Sequence, residues 1–189
     1  MKKSLLIIAC FIFTISAGAQ QKAFGDLYFG MTKKEAKTAY KANKENHRIE
    51  IGGWQFVASP YSCEFDADGL CGVSLYAKEV PFEKYLNAGN TELLLKEIKD
   101  VFTATGYTLI DEHVFWPKPN LMLSDSFCLI MQKDADQKYM IVRIPDANMM
   151  SQQSFNVWID LIPYRQADKL AEMKNKAVAE KADELKGKL

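Results

Sequence analysis

The sequence predicts an α+β protein whose antiparallel sheet has helices packed on one face. Three observations carry this. The apolar period switches twice from helical to alternating, each time giving a helix followed by strands. The strand segments meet at Gly- and Asp-containing turns that suit hairpins. Finally, Asp66-Ala67-Asp68 is echoed by Asp134-Ala135-Asp136, 68 residues later. Together they read as a degenerate tandem of two helix-plus-meander units, over residues 24–79 and 81–164.

In chain order, Thr32 and Glu35 form an S/T-x-x-E capping box, with Met31 placed to staple against Ala36, so a short amphipathic helix should run from Lys33 to about Asn43. Ile49 and Ile51, then Gly52-Gly53, then Trp54 and Phe56 read as a hairpin with a two-residue glycine turn. Tyr61 to Phe65 and Leu70 to Tyr76 flank a second hairpin turn at Asp66 to Gly69, which completes a four-stranded meander. Asn90 or Thr91 can cap a second helix in which Leu94, Leu95, Ile98, Val101 and Phe102 form an apolar stripe, and which Gly106 stops. Strands then resume at Tyr107 to Ile110, Phe127 to Gln132, Tyr139 to Ile144 and Phe155 to Ile162. From Arg165 to Leu189 the chain turns Ala-, Lys- and Glu-rich, with i, i+4 charge pairs, and reads as a solvated C-terminal helix that packs loosely or frays rather than an association handle.

The first nineteen residues are a separate matter. Lys2 and Lys3 precede an apolar run and then Ala17-Gly18-Ala19, the pattern of a cleaved signal peptide. Leu5 to Ala19 is only 15 residues, short of the roughly 20 of a spanning helix. Ile7-Ile8-Ala9-Cys10 loosely fits a lipobox, but lipidation there would leave only Ser4 to Ala9 as the hydrophobic region. The expected mature chain thus begins at Gln20, with one α+β domain over residues 20–164, a C-terminal helix over 165–189 and no transmembrane segment. It is expected in the periplasm or outside the cell. Export would expose Cys63, Cys71 and Cys128 to an oxidising compartment. A hairpin centred on Ala67 sets Cys63 opposite Cys71 on one face, so these two are expected to form a disulfide, with Cys128 left over.

Composition narrows the function classes. The chain has 189 residues, 48% of them hydrophobic and 25% charged, which is globular, and its 24 basic and 24 acidic residues cancel. Without a basic excess, nucleic acid is not an expected partner. The two histidines give little chemistry. Asp111-Glu112-His113 are consecutive and point different ways on a strand or turn, and His47 sits in a polar run that reads as a solvated strand entry. No nucleophile elbow, protease cysteine signature or phosphate loop is present. Asp66 to Gly69 lacks the ligand spacing of a calcium loop, so neither cofactor nor metal is expected.

What remains is surface. By strand alternation Cys71, Val73, Leu75, Met140, Val142, Ile144, Phe155, Val157, Ile159 and Leu161 face inward, whereas Gly72, Ser74, Ile141 and Asp160 face out. Tyr76, Tyr139, Arg143 and Trp158 also lie on the outer face, and these are residue types that dominate binding hot spots. They are the candidate binding surface, against the plain alternative that aromatics simply favour strands.

Phe29-Gly30-Met31-Thr32-Lys33-Lys34-Glu35-Ala36, followed by an Asp-x-Asp-Gly-Leu hairpin, resembles the opening of extracytoplasmic domains of the β-lactamase-inhibitor-protein-like and SmpA/BamE-like kind. The matched stretch is Phe29 to Tyr76; the second half lacks the Gly-Met-Thr motif, and the loose match at Ile7 to Cys10 is not a convincing lipobox of the anchored members. The resemblance implies a small helix-plus-sheet module that binds proteins without catalysis, and it brings no site residues with it. The expected function is therefore a secreted binding module of the envelope, partnered by a protein or envelope component. A small-ligand carrier is the alternative, and a hydrolase using His113 ranks third.

Overall fold

The computed structural model describes residues 21–79, 88–112, 127–143 and 157–186. The expected signal peptide, His113, Ile144 and Phe155 lie outside them, and so does the side chain of Cys128. A two-stranded hairpin, β1 (Lys22–Phe24) and β2 (Leu27–Tyr28), leads into α1 (Lys33–Ala42), then β3 (Arg48–Ile51), β4 (Trp54–Val57), β5 (Cys63–Asp66) and β6 (Gly69–Glu79). After α2 (Ala88–Ala104) come β7 (Thr108–Glu112), β8 (Phe127–Lys133), β9 (Lys138–Arg143), β10 (Trp158–Pro163) and α3 (Ala167–Lys186). Strands β3 to β10 form one antiparallel sheet of order β3-β4-β6-β10-β9-β8-β7, with β5 paired to β6. The sheet curls, and α2 touches both β3 and β7, the two ends of that order.

Local chemistry explains the elements. The α1 capping box is complete: Thr32 N–H donates to Glu35 Oε2 at 2.8 Å and Glu35 N–H to Thr32 Oγ1 at 3.3 Å, holding the Glu35 carboxyl below its usual range. Gly52 and Gly53 have φ of 61° and 74°, which closes the β3–β4 hairpin with Ile51 opposite Trp54. At the end of α2, Gly106 N–H donates to the Thr103 carbonyl and Tyr107 N–H to the Phe102 carbonyl. This is a Schellman motif, sealed by the Phe102 and Tyr107 rings packed edge to face at 5.1 Å.

The main core lies on the inner face. Phe56, Leu75, Met140, Val142, Ile159 and Leu161 from the sheet, with Val157 just before β10, pack with Ala36 of α1, Leu94, Ile98 and Phe102 of α2, and Ala23, Leu27 and Phe29 of the N-terminal segment. Val101, expected in the α2 stripe, is 37% exposed. The outer face carries a second, smaller cluster in which Ile130, Ile141 and Ile162 are covered by Leu170 of α3. The last helix therefore packs on the sheet at its N-terminal end, through Leu170, while most of its described residues stay solvent-exposed.

The region around β5 departs from the expected meander, because β4 pairs with the second half of β6 while β5 pairs with the first. It also departs in parity. Cys63 pairs with Val73 and Glu64 with Gly72, but Phe65 pairs with Leu70, leaving Cys71 as the extra residue of a bulge. Leu70 and Val73 both join the inner core, whereas Cys71, expected inward, lies near Asp66, Glu64 and Arg165. The expected Cys63–Cys71 disulfide is thus not formed. Both are free thiols, with Cys63 packed toward the inner core. Burial raises the Cys63 thiol to about 11. It raises the Cys71 thiol too, helped by Asp66 and Glu64.

Candidate functional site

The candidate residues sit on three adjacent strands. Trp158 of β10 pairs with Tyr76 of β6 on one side and Arg143 of β9 on the other, and all three side chains are half-buried. The Tyr76 and Trp158 rings are 5.9 Å apart, within the range of favourable aromatic pairs. The Trp158 Nε1 is buried and has no hydrogen-bond partner among the described residues. Tyr139 is the member that separates. It lies opposite Ile162, stacks on Tyr164 at 4.5 Å, and belongs to the packing under α3.

Two residues along β10 from the tryptophan, Asp160 holds the polar centre of this face. It is 9% exposed, accepts a hydrogen bond from Ser74 Oγ at 2.6 Å, and forms an ion pair with Arg143 Nε. A buried carboxylate needs such partners, since desolvation would otherwise outweigh its contribution. Asp160 was legible as outward-facing but not as the organising group. The available signal was a lone acid inside the apolar run Trp-Ile-Asp-Leu-Ile.

Beside Asp160, between the sheet and α3, lies a cavity of about 290 Å³. Val73, Ile141 and Ile162 supply its apolar wall, and Ser74, Arg143 and Asp160 its polar one. At its rim Lys169 of α3 pairs with Glu64 of β5 at 2.6 Å, and Glu172 lines the same side. The helix is placed there by the hairpin turn. Arg165 donates to Asp66 through both terminal nitrogens, at 2.5 and 3.2 Å, and reaches Asp68 at 3.3 Å; the fork geometry matches a carboxylate. That bond holds the Asp66 carboxyl below its usual range. Further along, Lys174 pairs with Asp111 of β7 at 3.3 Å.

The two motifs that carry the family resemblance touch one another. Gly30 N–H donates to the Leu70 carbonyl and Leu70 N–H to the Met31 carbonyl, at 2.9 and 2.8 Å. Gly69, with φ of 97°, permits this approach, because a Cβ there would collide with the Gly30 carbonyl.

The histidine readings resolve differently. Asp111 turns to Lys174 of α3, whereas Glu112 turns to Lys99 of α2 at 2.9 Å, so the two acids diverge. His47, expected to be solvated, is fully buried, and among the described residues neither ring nitrogen has a partner in good hydrogen-bond geometry, the Ala39 carbonyl being only nearby. Its ring packs 5.1 Å from that of Tyr40, and a Cβ on Gly25 would lie 2.9 Å from its Nδ1. The β1–β2 turn closes over it, which no local pattern around His47 announces.

Among the described residues no cluster of three or more His, Cys, Asp or Glu side chains could hold a metal ion, and no helix is long and apolar enough to cross a membrane. No protein-family model, curated protein or solved structure matches the chain.

Proposed function

We propose that the chain is an exported, non-catalytic binding module of the bacterial envelope that engages a protein or envelope component through the outer face of its sheet. The observation that carries this is the half-buried Tyr76–Trp158 pair beside Arg143, at the part of the outer face away from Leu170. Aromatic and arginine side chains next to a desolvated ion pair are the composition of interface hot spots. The resemblance of residues 29–76 to extracytoplasmic binding domains supports the same reading.

The test is Trp158→Ala, read by thermal melting and by capture of envelope components on the immobilised protein. A residue of the binding face should lower capture severalfold with little loss of stability. A stability loss of about 3–5 kcal/mol, the cost of deleting a buried aromatic, with capture per folded molecule unchanged would overturn the proposal. The cavity of about 290 Å³ favours one second reading, a small-ligand carrier. Its polar wall differs from the closed apolar pocket expected of a carrier, and native mass spectrometry of the purified chain tests for a retained ligand.

A further inference from the structure

Among the described residues, the cavity under α3 carries an unbalanced charge pattern. Three carboxylates line it, those of Glu64, Asp160 and Glu172, against two cations. Arg143 is engaged by Asp160 and Lys169 by Glu64, whereas no described residue forms an ion pair with Glu172. Gly72 leaves Glu64 room at the rim, since a Cβ there would lie 3.2 Å from Oε2 and 3.3 Å from the Glu64 Cβ, tighter than ordinary contact. Next to these charges, Ile141 and Ile162 offer an apolar wall. Lys169 already shows the chemistry the rim accepts, an alkyl stem ending in an ammonium 2.6 Å from a carboxylate. At about 290 Å³ the cavity is at the small end of ligand pockets, a size for one side chain rather than a large molecule.

We propose that this cavity takes an alkylammonium group, its stem against Ile141 and Ile162 and its charge beside Glu172, and that the physiological occupant is a lysine side chain of the partner protein. This rests on the outer face being the binding face. It makes the aromatic pair the anchor and the cavity the element that selects a basic residue. An anionic group would meet the excess of carboxylate at the same place, and a neutral alkyl group would gain nothing from Glu172.

The experiment is a ¹H–¹⁵N NMR titration of the chain with N-acetyl-lysine methylamide, with cadaverine as the free amine and pentanol as the neutral stem. The lysine derivative should give saturable shifts at Gly72, Ser74, Ile141 and Glu172, which pentanol does not reproduce. Glu172→Gln should weaken it about threefold to fivefold, the range of a solvent-accessible ion pair. Lys169→Gln, which frees Glu64, should tighten it by a similar factor. Asp183→Asn, an exposed change further along α3, should leave it unchanged. Absence of saturation, equal shifts with pentanol, or indifference to Glu172→Gln overturns the proposal. Saturation by cadaverine alone overturns the lysine side chain as occupant. If Trp158→Ala abolishes capture while no amine saturates the cavity, the cavity inference fails and the binding face stands.

Discussion

At the scale of single residues, the most consequential group outside the binding face is His47. Burial lowers its pKa, outweighing the Ala39 carbonyl and the Asp26 carboxylate, which favour the charged ring. Of the charges close in sequence, Glu45 and Arg48 are paired with each other at 3.2 Å, and Tyr40 faces it with its ring. The native chain therefore holds His47 neutral over a range in which the unfolded chain, with a pKa near 6.5, takes up a proton. Stability is full above that value and falls as pH drops through it, by at most about 1.4 kcal/mol per pH unit, until the native ring also protonates. His47→Phe should flatten the urea-unfolding free energy between pH 7 and pH 5 relative to the unmodified chain. An unchanged slope would show that the ring is solvated in solution. The same residue marks a limit of sequence reading: its neighbours Glu45, Asn46 and Arg48 are all polar, and the burying turn at Gly25 and Asp26 comes from some twenty residues earlier.

At the scale of elements, what was legible depended on how locally each element is specified. The α1 box, the Gly52-Gly53 turn and the Gly106 stop are each written within a few residues, and all three form as expected. The bulge at Cys71 is not local in that sense. It answers to the pairing of β6 with β5, and a single extra residue reverses the parity on which the disulfide expectation rests. The packing of the C-terminal helix escapes a local reading for a related reason: its anchors, Asp66, Glu64 and Asp111, belong to strands distant in sequence. Those anchors are solvent-accessible ion pairs, individually weak and salt-sensitive, so α3 should be the most easily detached element on the sheet. Arg165→Ala should accelerate amide exchange across the first two turns of α3 by about fivefold or more, leaving the β9 and β10 amides unaffected. Equal acceleration in the sheet would mean that helix and sheet open together.

At the scale of the molecule, the predicted fold class holds, an α+β chain with an antiparallel sheet between a two-helix inner layer and one outer helix. The candidate face was partly legible, because strand alternation set Tyr76, Arg143 and Trp158 on one side. The cavity was not, because it exists only where α3 returns over β9 and β10. One further contact joins residues 116 positions apart in the sequence. Lys138, 6% exposed, donates to the carbonyls of Lys22 at 2.9 Å and Ala23 at 3.3 Å, pairs with Asp136 at 3.2 Å, and lies 5.8 Å from the centre of the Tyr107 ring. The hairpin made first is thus clasped by a strand made about 116 residues later. Closing so long a loop comes late when a chain folds by local contacts first. The N-terminal hairpin should then be the last piece to settle: in pulse-labelled hydrogen exchange during refolding, the amides of residues 22–28 should gain protection after those of α1 and the β3–β4 hairpin. Simultaneous protection would mean that the N-terminal hairpin does not wait for β9.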